Sequence, residues 1–501
     1  MPPNASAFTR RTLVTTVPLA LSAASCSWAS GSGDGDSTSV TMRIGVADAT
    51  GITGVDPLQA SAGASQIVVR HLYDSLMVLE EGEYRYELAE TVEPNDDATV
   101  WTITIRADAK FHDGSSLTAA DVAYSLTALA GPDSNRASVY AAVAPDGVRA
   151  VDDRTVTVEL LQPRADFRES VLVVYSPVFP DRTTDFTDPL ASGPYRYEDG
   201  DEQTVRLTAV TGHWRGTGPD TLEIIRISDP TARLNALVGN QIDYSVGLGA
   251  AGARTVADDP DIELLPGDLS TAYALTFSMN RQLAPFDDAR VRRAVRLAAD
   301  REAMLDAALH GYGETGDDVV GAGLPGYADV EPRQRDIDIA RGLFAEAGVT
   351  ELTLITAEVV PGMTAAAQVL EQNLEEAGVT LHRDEVPADT YYADLTALSS
   401  RPFQTFYYAN RPAAVHLAAT TNETAPFNVT GTGTDHWDAL AEAQTIVDDD
   451  ARAAAFEAMQ REFHEDGGDL LWAFSYQMDA VRRGVTGIVI SQGVPLFTGA
   501  A

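Results

Sequence analysis

The residues able to do covalent or metal chemistry are few and scattered. Histidine occurs at 71, 112, 213, 310, 382, 416, 436 and 464, with no two within five residues of each other, so no metalloprotease pair or zinc finger is spelled locally. A satisfied structural role is the ordinary reading of each one. No Gly-x-Ser-x-Gly elbow is present, which leaves an α/β-hydrolase without its nucleophile. The phosphate-cradling P-loop pattern is also absent. Lys110 is the only lysine, so Schiff-base chemistry has a single candidate. What remains is a stock of aromatic and amide groups suited to holding a solute. Tyr407-Tyr408-Ala409-Asn410-Arg411-Pro412 and Trp472-Ala473-Phe474-Ser475-Tyr476 combine flat surfaces with a few polar heads, the mixture found in ligand clefts. These segments are expected in loops, and strand or core aromatics are the competing reading.

Composition narrows the classes further. The chain has 501 residues, 35 Lys+Arg against 74 Asp+Glu and a formal net charge of −39. A surface this negative repels phosphate backbones and anionic lipid, which excludes a nucleic-acid binder on bulk electrostatics. Carboxylate pairs are so common in it that a glycosidase pair has no distinguishing signal. With 45% hydrophobic and 22% charged residues the balance is globular, and the length calls for two or three domains.

One cysteine, Cys26, rules out a disulfide framework and a multi-thiolate site. Before it stand Arg10-Arg11, an apolar run from Leu13 to Leu21, and the small residues Ser22 to Ser25. That order is an export signal, with a twin-arginine character, and the run is too short to span a bilayer. Ala24-Ser25-Cys26 resembles a bacterial lipobox, although Ala23 stands where leucine is usual. Residues 1–26 therefore read as a signal peptide with Cys26 as its lipidation site, and the Gly/Ser-rich stretch to residue 40 as a tether.

The elements that must position a site follow from periodicity. Strands are expected at Met42 to Val46, Val100 to Arg106, Thr155 to Leu160, Thr204 to Ala209, Leu222 to Ile227, Leu352 to Thr356 and Val379 to His382. Helices are expected at Ser65 to Leu76, after a capping box at Thr118 to Asp121, at Pro230 to Leu237, from Asp287 or Asp288, from Asp338 to a stop at Gly348, and from Met363 to Glu376. The βαβ rhythm after residue 350 argues for a mainly parallel sheet in the C-terminal half.

Several stretches then show a family resemblance. Glu87-Leu88-Ala89-Glu90-Thr91, Trp101 to Arg106, Lys110-Phe111-His112-Asp113-Gly114 and Leu117 to Val122 are similar to the signature "LAES…W…TF.LR…KFHDG..LTA.DV" of family 5 extracellular solute-binding proteins of ABC importers, the oligopeptide, dipeptide and nickel group. Ser192 to Tyr195, Asp229 to Asp243, and Asn280 with Pro285 to Val295 resemble three further blocks in order, so the likeness runs from about residue 41 to 490. It implies an α/β, two-lobed periplasmic-binding-protein type II fold with an extra domain in the first lobe. Residues 41–75, 188–265 and 480–501 would form the first lobe core, 76–187 the extra domain and 266–479 the second lobe, with a ligand favouring the closed state.

The resemblance implies no enzyme and no cofactor: an exported lipoprotein, on the outer face of the cell membrane, passing peptides or peptide-like solutes to a permease. A monomer is expected. Tyr407, Tyr408, Asn410 and Arg411 would line the cleft, Ser278 and Asn280 would stand near its hinge-side wall, and Trp472 or Tyr476 would add stacking surface. Peptide-binding members carry an aspartate near Tyr407 to Ala413 to pair a peptide amino terminus, and this chain has none there. Arg411, as in members with a "GRP" variant, suits a carboxylate, or else points to solvent or pairs with one of the chain's many acids. A metal-chelate receptor using His416, as in the nickel branch, and a secreted hydrolase using buried carboxylates are the alternatives.

Overall fold

The computed structural model describes residues 39–47, 54–60, 63–80, 82–392, 395–423, 425 and 427–497. The export signal, Cys26 and most of the tether lie outside them. Alternation builds the strands as expected: along Val100–Ile105 the side chains of Trp101, Ile103 and Ile105 are buried and their neighbours half-exposed. Helix ends carry their signals. Asp288 accepts from the Arg290 N–H at the start of Ala289–Ala298, and Gly348 ends Ile337–Ala347 at φ 73°. The Thr118 N–H donates to the Asp121 carboxylate at 2.7 Å, opening Ala119–Leu129.

Three larger sheets organise the chain. The first runs Ile262–Pro266, Met478–Arg482, Tyr244–Ser245, Thr41–Val46, Thr221–Arg226, Thr204–Ala209, Tyr195–Gly200. Thr41–Val46 is parallel to both neighbours, and the other pairs are antiparallel. A four-stranded antiparallel sheet is formed by Ala89–Pro94, Val100–Ile105, Thr155–Leu160 and Val143–Ala150. Its core side chains, among them Trp101, Ile103 and Val158, are continuous with Ile44, Val68 and Leu72 of the first sheet and its helix Gly63–Leu72. These two sheets thus share one core.

The third sheet runs Gly313–Thr315, Asp469–Ser475, Tyr273–Met279, Phe403–Ala409, Glu351–Thr356, Thr380–Glu385, over a core that includes Phe277, Val295, Leu370 and Trp472. The expected parallel sheet is corrected here. Only Glu351–Thr356, helix Met363–Glu376 and Thr380–Glu385 form a βαβ unit, while the sheet's middle pairs are antiparallel. The rhythm was local, and long-range pairing of Tyr273–Met279 with two strands far along the chain decides the rest.

The chain passes between the first and third sheets twice, from Pro266 to Tyr273 and from Ser475 to Met478, and the two crossings are tied by the Gly267 N–H donating to the Gln477 carbonyl at 2.7 Å. Because Met478–Arg482 pairs within the first sheet, the second crossing ends two residues before the expected boundary at 480. Among the described residues no helix is long and apolar enough to cross a membrane.

Candidate functional site

A cavity of about 590 Å³ opens beside these crossings, within the range of sites for small organic solutes. One wall is the helix Gly63–Leu72, whose Gly63, Gln66, Ile67 and Arg70 fall on one face at steps of three, one and three, with Arg136 and Tyr175 beside it. The facing wall is the end of the Phe403–Ala409 strand and the link into helix Ala413–Thr420. Gln477 of the second crossing also lines it.

The strand is positioned by register: Tyr273↔Ala409, Ala274↔Tyr408 and Leu275↔Tyr407. Tyr407 meets Tyr273 edge-on, with ring centroids 5.3 Å apart. Tyr408 sends its hydroxyl away from the cavity, donating to Asp469 at 3.3 Å. The strand ends at Asn410, whose amide is consumed by the protein. Its Nδ2 donates to the carbonyls of Leu269 at 2.7 Å and Ala322 at 2.9 Å, and its Oδ1 accepts from the Gly321 N–H at 2.7 Å. Both donors are used, so Asn410 holds the rim and has no hydrogen to offer a ligand.

Arg411 follows on the two-residue link. It stays open to the solvent in the cavity, yet the surrounding protein desolvates it and, with repulsion from Arg136, holds its pKa below the usual arginine value. Among the described residues no carboxylate pairs with it. His416, one turn into the next helix, stands edge-on to Tyr408 at 4.8 Å, and burial followed by the Arg411 charge pushes it down to about 3. It is therefore a neutral imidazole near pH 7. The Tyr392 hydroxyl is buried without a hydrogen-bond partner among the described residues, and its side chain lines the same cavity.

Tyr407, Tyr408, Asn410 and Arg411 are brought together at the cavity, whereas the other four expected residues are not. Ser278 is fully buried and donates to Asp469 at 2.5 Å. Asn280 braces a turn, giving its Nδ2 to the Ser399 carbonyl at 2.7 Å and its Oδ1 to the Gln282 N–H at 2.9 Å. Trp472 stacks on Phe277 inside the second core. Tyr476 donates to Glu314 outside the cavity. The expected loop setting of the aromatics is also corrected, since both segments are largely strand, Phe403–Ala409 and Asp469–Ser475, and alternation sends half of their rings inward. Arg70, Arg136, Tyr175, Tyr273 and Tyr392 were missed. A helical face carrying an arginine in an otherwise apolar line, as at Ile67 and Arg70, is the signal that could have found the first.

A two-lobed α/β body with a solute-sized cavity beside two crossing segments is an arrangement shared with known proteins. The model of bacterial extracellular solute-binding proteins, family 5, middle region, matches residues 83–454, well over half of the chain. The chain belongs to this family. Among curated relatives, the glutathione-binding protein GsiB of Salmonella typhimurium is 27% identical over 350 residues, 67% of this chain and 67% of that protein. Across the relatives GsiB and heme-binding protein A of Haemophilus influenzae, the matched region is between 57% and 67% of their length. Among solved structures, HbpA2 from Haemophilus parasuis superposes with a TM-score of 0.77 at 20% identity, covering 92% of this chain and 99% of that one. AgaA of A. tumefaciens R10, in complex with agropinic acid, gives 0.70 at 22%, covering 91% and 96%. The fold is accordingly the type II periplasmic-binding fold.

Proposed function

We propose that this family 5 protein is the substrate-binding lipoprotein of an ABC importer, exported, anchored through Cys26 on the outer face of the cell membrane, and delivering peptides or peptide-like acids to a permease. The observation that carries the reading is Arg411, a solvent-open cation on the cavity wall with no carboxylate partner among the described residues. A ligand carboxylate would supply the missing charge through forked hydrogen bonds. Tyr407 and Tyr273 provide flat surface beside it. The glutathione named for GsiB and the agropinic acid named for AgaA support a small peptide-like or acidic solute. In this reading the sheets of residues 41–265 and 478–482 form the first lobe with its extra domain, Tyr273 to Ser475 forms the second, and the monomer returns its ligand unchanged.

Native mass spectrometry of the chain from Ser30 onward, exported and purified gently, tests this. Added masses that resolve into short peptides or peptide-like acids on denaturation are the expected result. A single metal-containing mass retained by wild type and lost in His416→Ala would overturn it in favour of a chelate receptor.

A further inference from the structure

The acids and bases of this protein are distributed against the trend of its composition. Asp and Glu are about one residue in seven (74 of 501) and outnumber Lys and Arg two to one. Among the described residues lining the cavity there is no Asp or Glu, and there are three arginines, Arg70, Arg136 and Arg411. They come from three separate elements: the helix Gly63–Leu72, the turns following helix Ala119–Leu129, and the link after the Phe403–Ala409 strand. Two therefore stand on the first lobe and one on the second.

We propose that the cleft is built for a compact solute carrying two acidic groups and no free ammonium, one acid meeting Arg411 on the second lobe and the other meeting the arginines of the first lobe. This deepens the reading above and rests on it. A peptide's ammonium group would enter a cavity whose lining carries three guanidinium groups and no carboxylate among the described residues, an arrangement that opposes a cation. Two acids, by contrast, answer cations on both walls. Arg136 lies over the Tyr175 ring at 4.6 Å and donates to the Ala60 carbonyl at 3.0 Å, which holds its guanidinium in place along that wall. Arg70 is held similarly, donating to the Ser491 hydroxyl at 3.3 Å. Burial first, and then the charge of Arg136 across the cavity, hold the Arg411 pKa below the usual arginine value. The cavity of about 590 Å³ limits such a solute to a few residues' worth of atoms.

The test is calorimetric titration of the mature protein with three probes: N-acetyl-glutamyl-alanine, with two carboxylates; N-acetyl-glutaminyl-alanine, with one; and glutamyl-alanine with its amino group free. The expected order has the first binding about tenfold or more tighter than either other, as charge-assisted hydrogen bonds imply. Arg136→Gln should bring the first two probes to similar affinities. The comparison among probes on wild-type protein stands even where that variant folds poorly. Equal binding of the first two probes, with Arg411→Ala still weakening both, would overturn the two-acid inference and leave the carboxylate site intact. Tighter binding of the free amine would overturn it as well. Failure of all three to bind would remove the peptide-like reading and this inference together.

Discussion

Replacing Asn410 by alanine separates a residue that holds the cleft from one that holds the ligand. The side chain is 5% exposed and makes three hydrogen bonds, to Leu269, Ala322 and Gly321, which join the first crossing, the 321–322 loop and the end of the Phe403–Ala409 strand. At about 1 kcal/mol net per bond the substitution should cost about 3 kcal/mol, and the orphaned Gly321 N–H sets this as a lower figure. With an unfolding entropy of roughly 2.1 cal/mol/K per residue over roughly 460 residues, 3 kcal/mol lowers the midpoint by about 3 °C if the chain unfolds as one unit, and by about 6 °C if its halves unfold separately. Asn410→Asp has the same shape, loses both donors and sets an anion against two carbonyls, so it should cost more than alanine. Differential scanning calorimetry on ligand-free protein reads both. A midpoint moved by less than about 1 °C, together with a collapse in ligand affinity, would refute the reasoning and return Asn410 to the ligand contacts.

Arg411→Ala should weaken a carboxylate ligand by about 10- to 150-fold, the equivalent of about 1.5–3 kcal/mol, and leave the ligand-free melting point close to wild type, because the side chain is open to the solvent and pairs with no carboxylate among the described residues. Unchanged affinity in a titration would end the anion-site idea. Gly193→Ala places a Cβ 2.5 Å from the His71 carbonyl oxygen and 2.7 Å from the Leu72 carbonyl, both backbone, so it should cost about 1–3 kcal/mol and, by shifting the end of the helix that carries Arg70, weaken ligand binding. A thermal melt within error of wild type would contradict that. Asp479 is fully buried, accepts from the Tyr244 hydroxyl and the Gly247 N–H, and is pushed up to about 6 by burial. Its folded pKa lies above its unfolded one, so the native state keeps a proton the unfolded chain has lost, and this contribution declines as pH rises from about 4 to about 6. Asp479→Asn should therefore gain on wild type by up to about 3 kcal/mol between pH 4 and pH 7, and a difference independent of pH would show that Asp479 titrates normally.

How far the site was legible depended on how local its determinants are. The cap at Asp288, the stop at Gly348 and the alternation through Trp101, Ile103 and Ile105 are written within a few neighbouring residues, and those elements stand where the pattern puts them. Arg411 was legible because one short segment, resembling a known cleft segment, contains it. Ser278, Asn280 and Trp472 were misplaced because a strand's two faces look alike until its partners are known. Register with Phe403–Ala409 and Asp469–Ser475 turns Ser278 toward Asp469, the bulge in Asp469–Ser475 leaves Trp472 stacked on Phe277, and Asn280, just past the strand end, turns to the Ser399 carbonyl. Arg70 and Arg136 reach the cavity from elements hundreds of residues away from Arg411, and no spacing rule connects them.

That separation bears on how binding could be coupled to closure. The lobes are joined by two short crossings bonded to each other at Gly267 and Gln477, and Gln477 itself lines the cavity. Cations on opposite walls resist being brought together in a space with little water, and Arg136 already perturbs Arg411. A ligand can shift the lobes only by as much as it favours one state over the other. An acid lying between the walls meets that condition, because it replaces a repulsion that grows on closing with two attractions that also grow on closing. Surface charge would not do this. At physiological ionic strength exposed charges are screened beyond about 8 Å, so the net −39 of the body bears on solubility, and in the proposed reading the selection of an anion would rest on the few arginines inside the cleft.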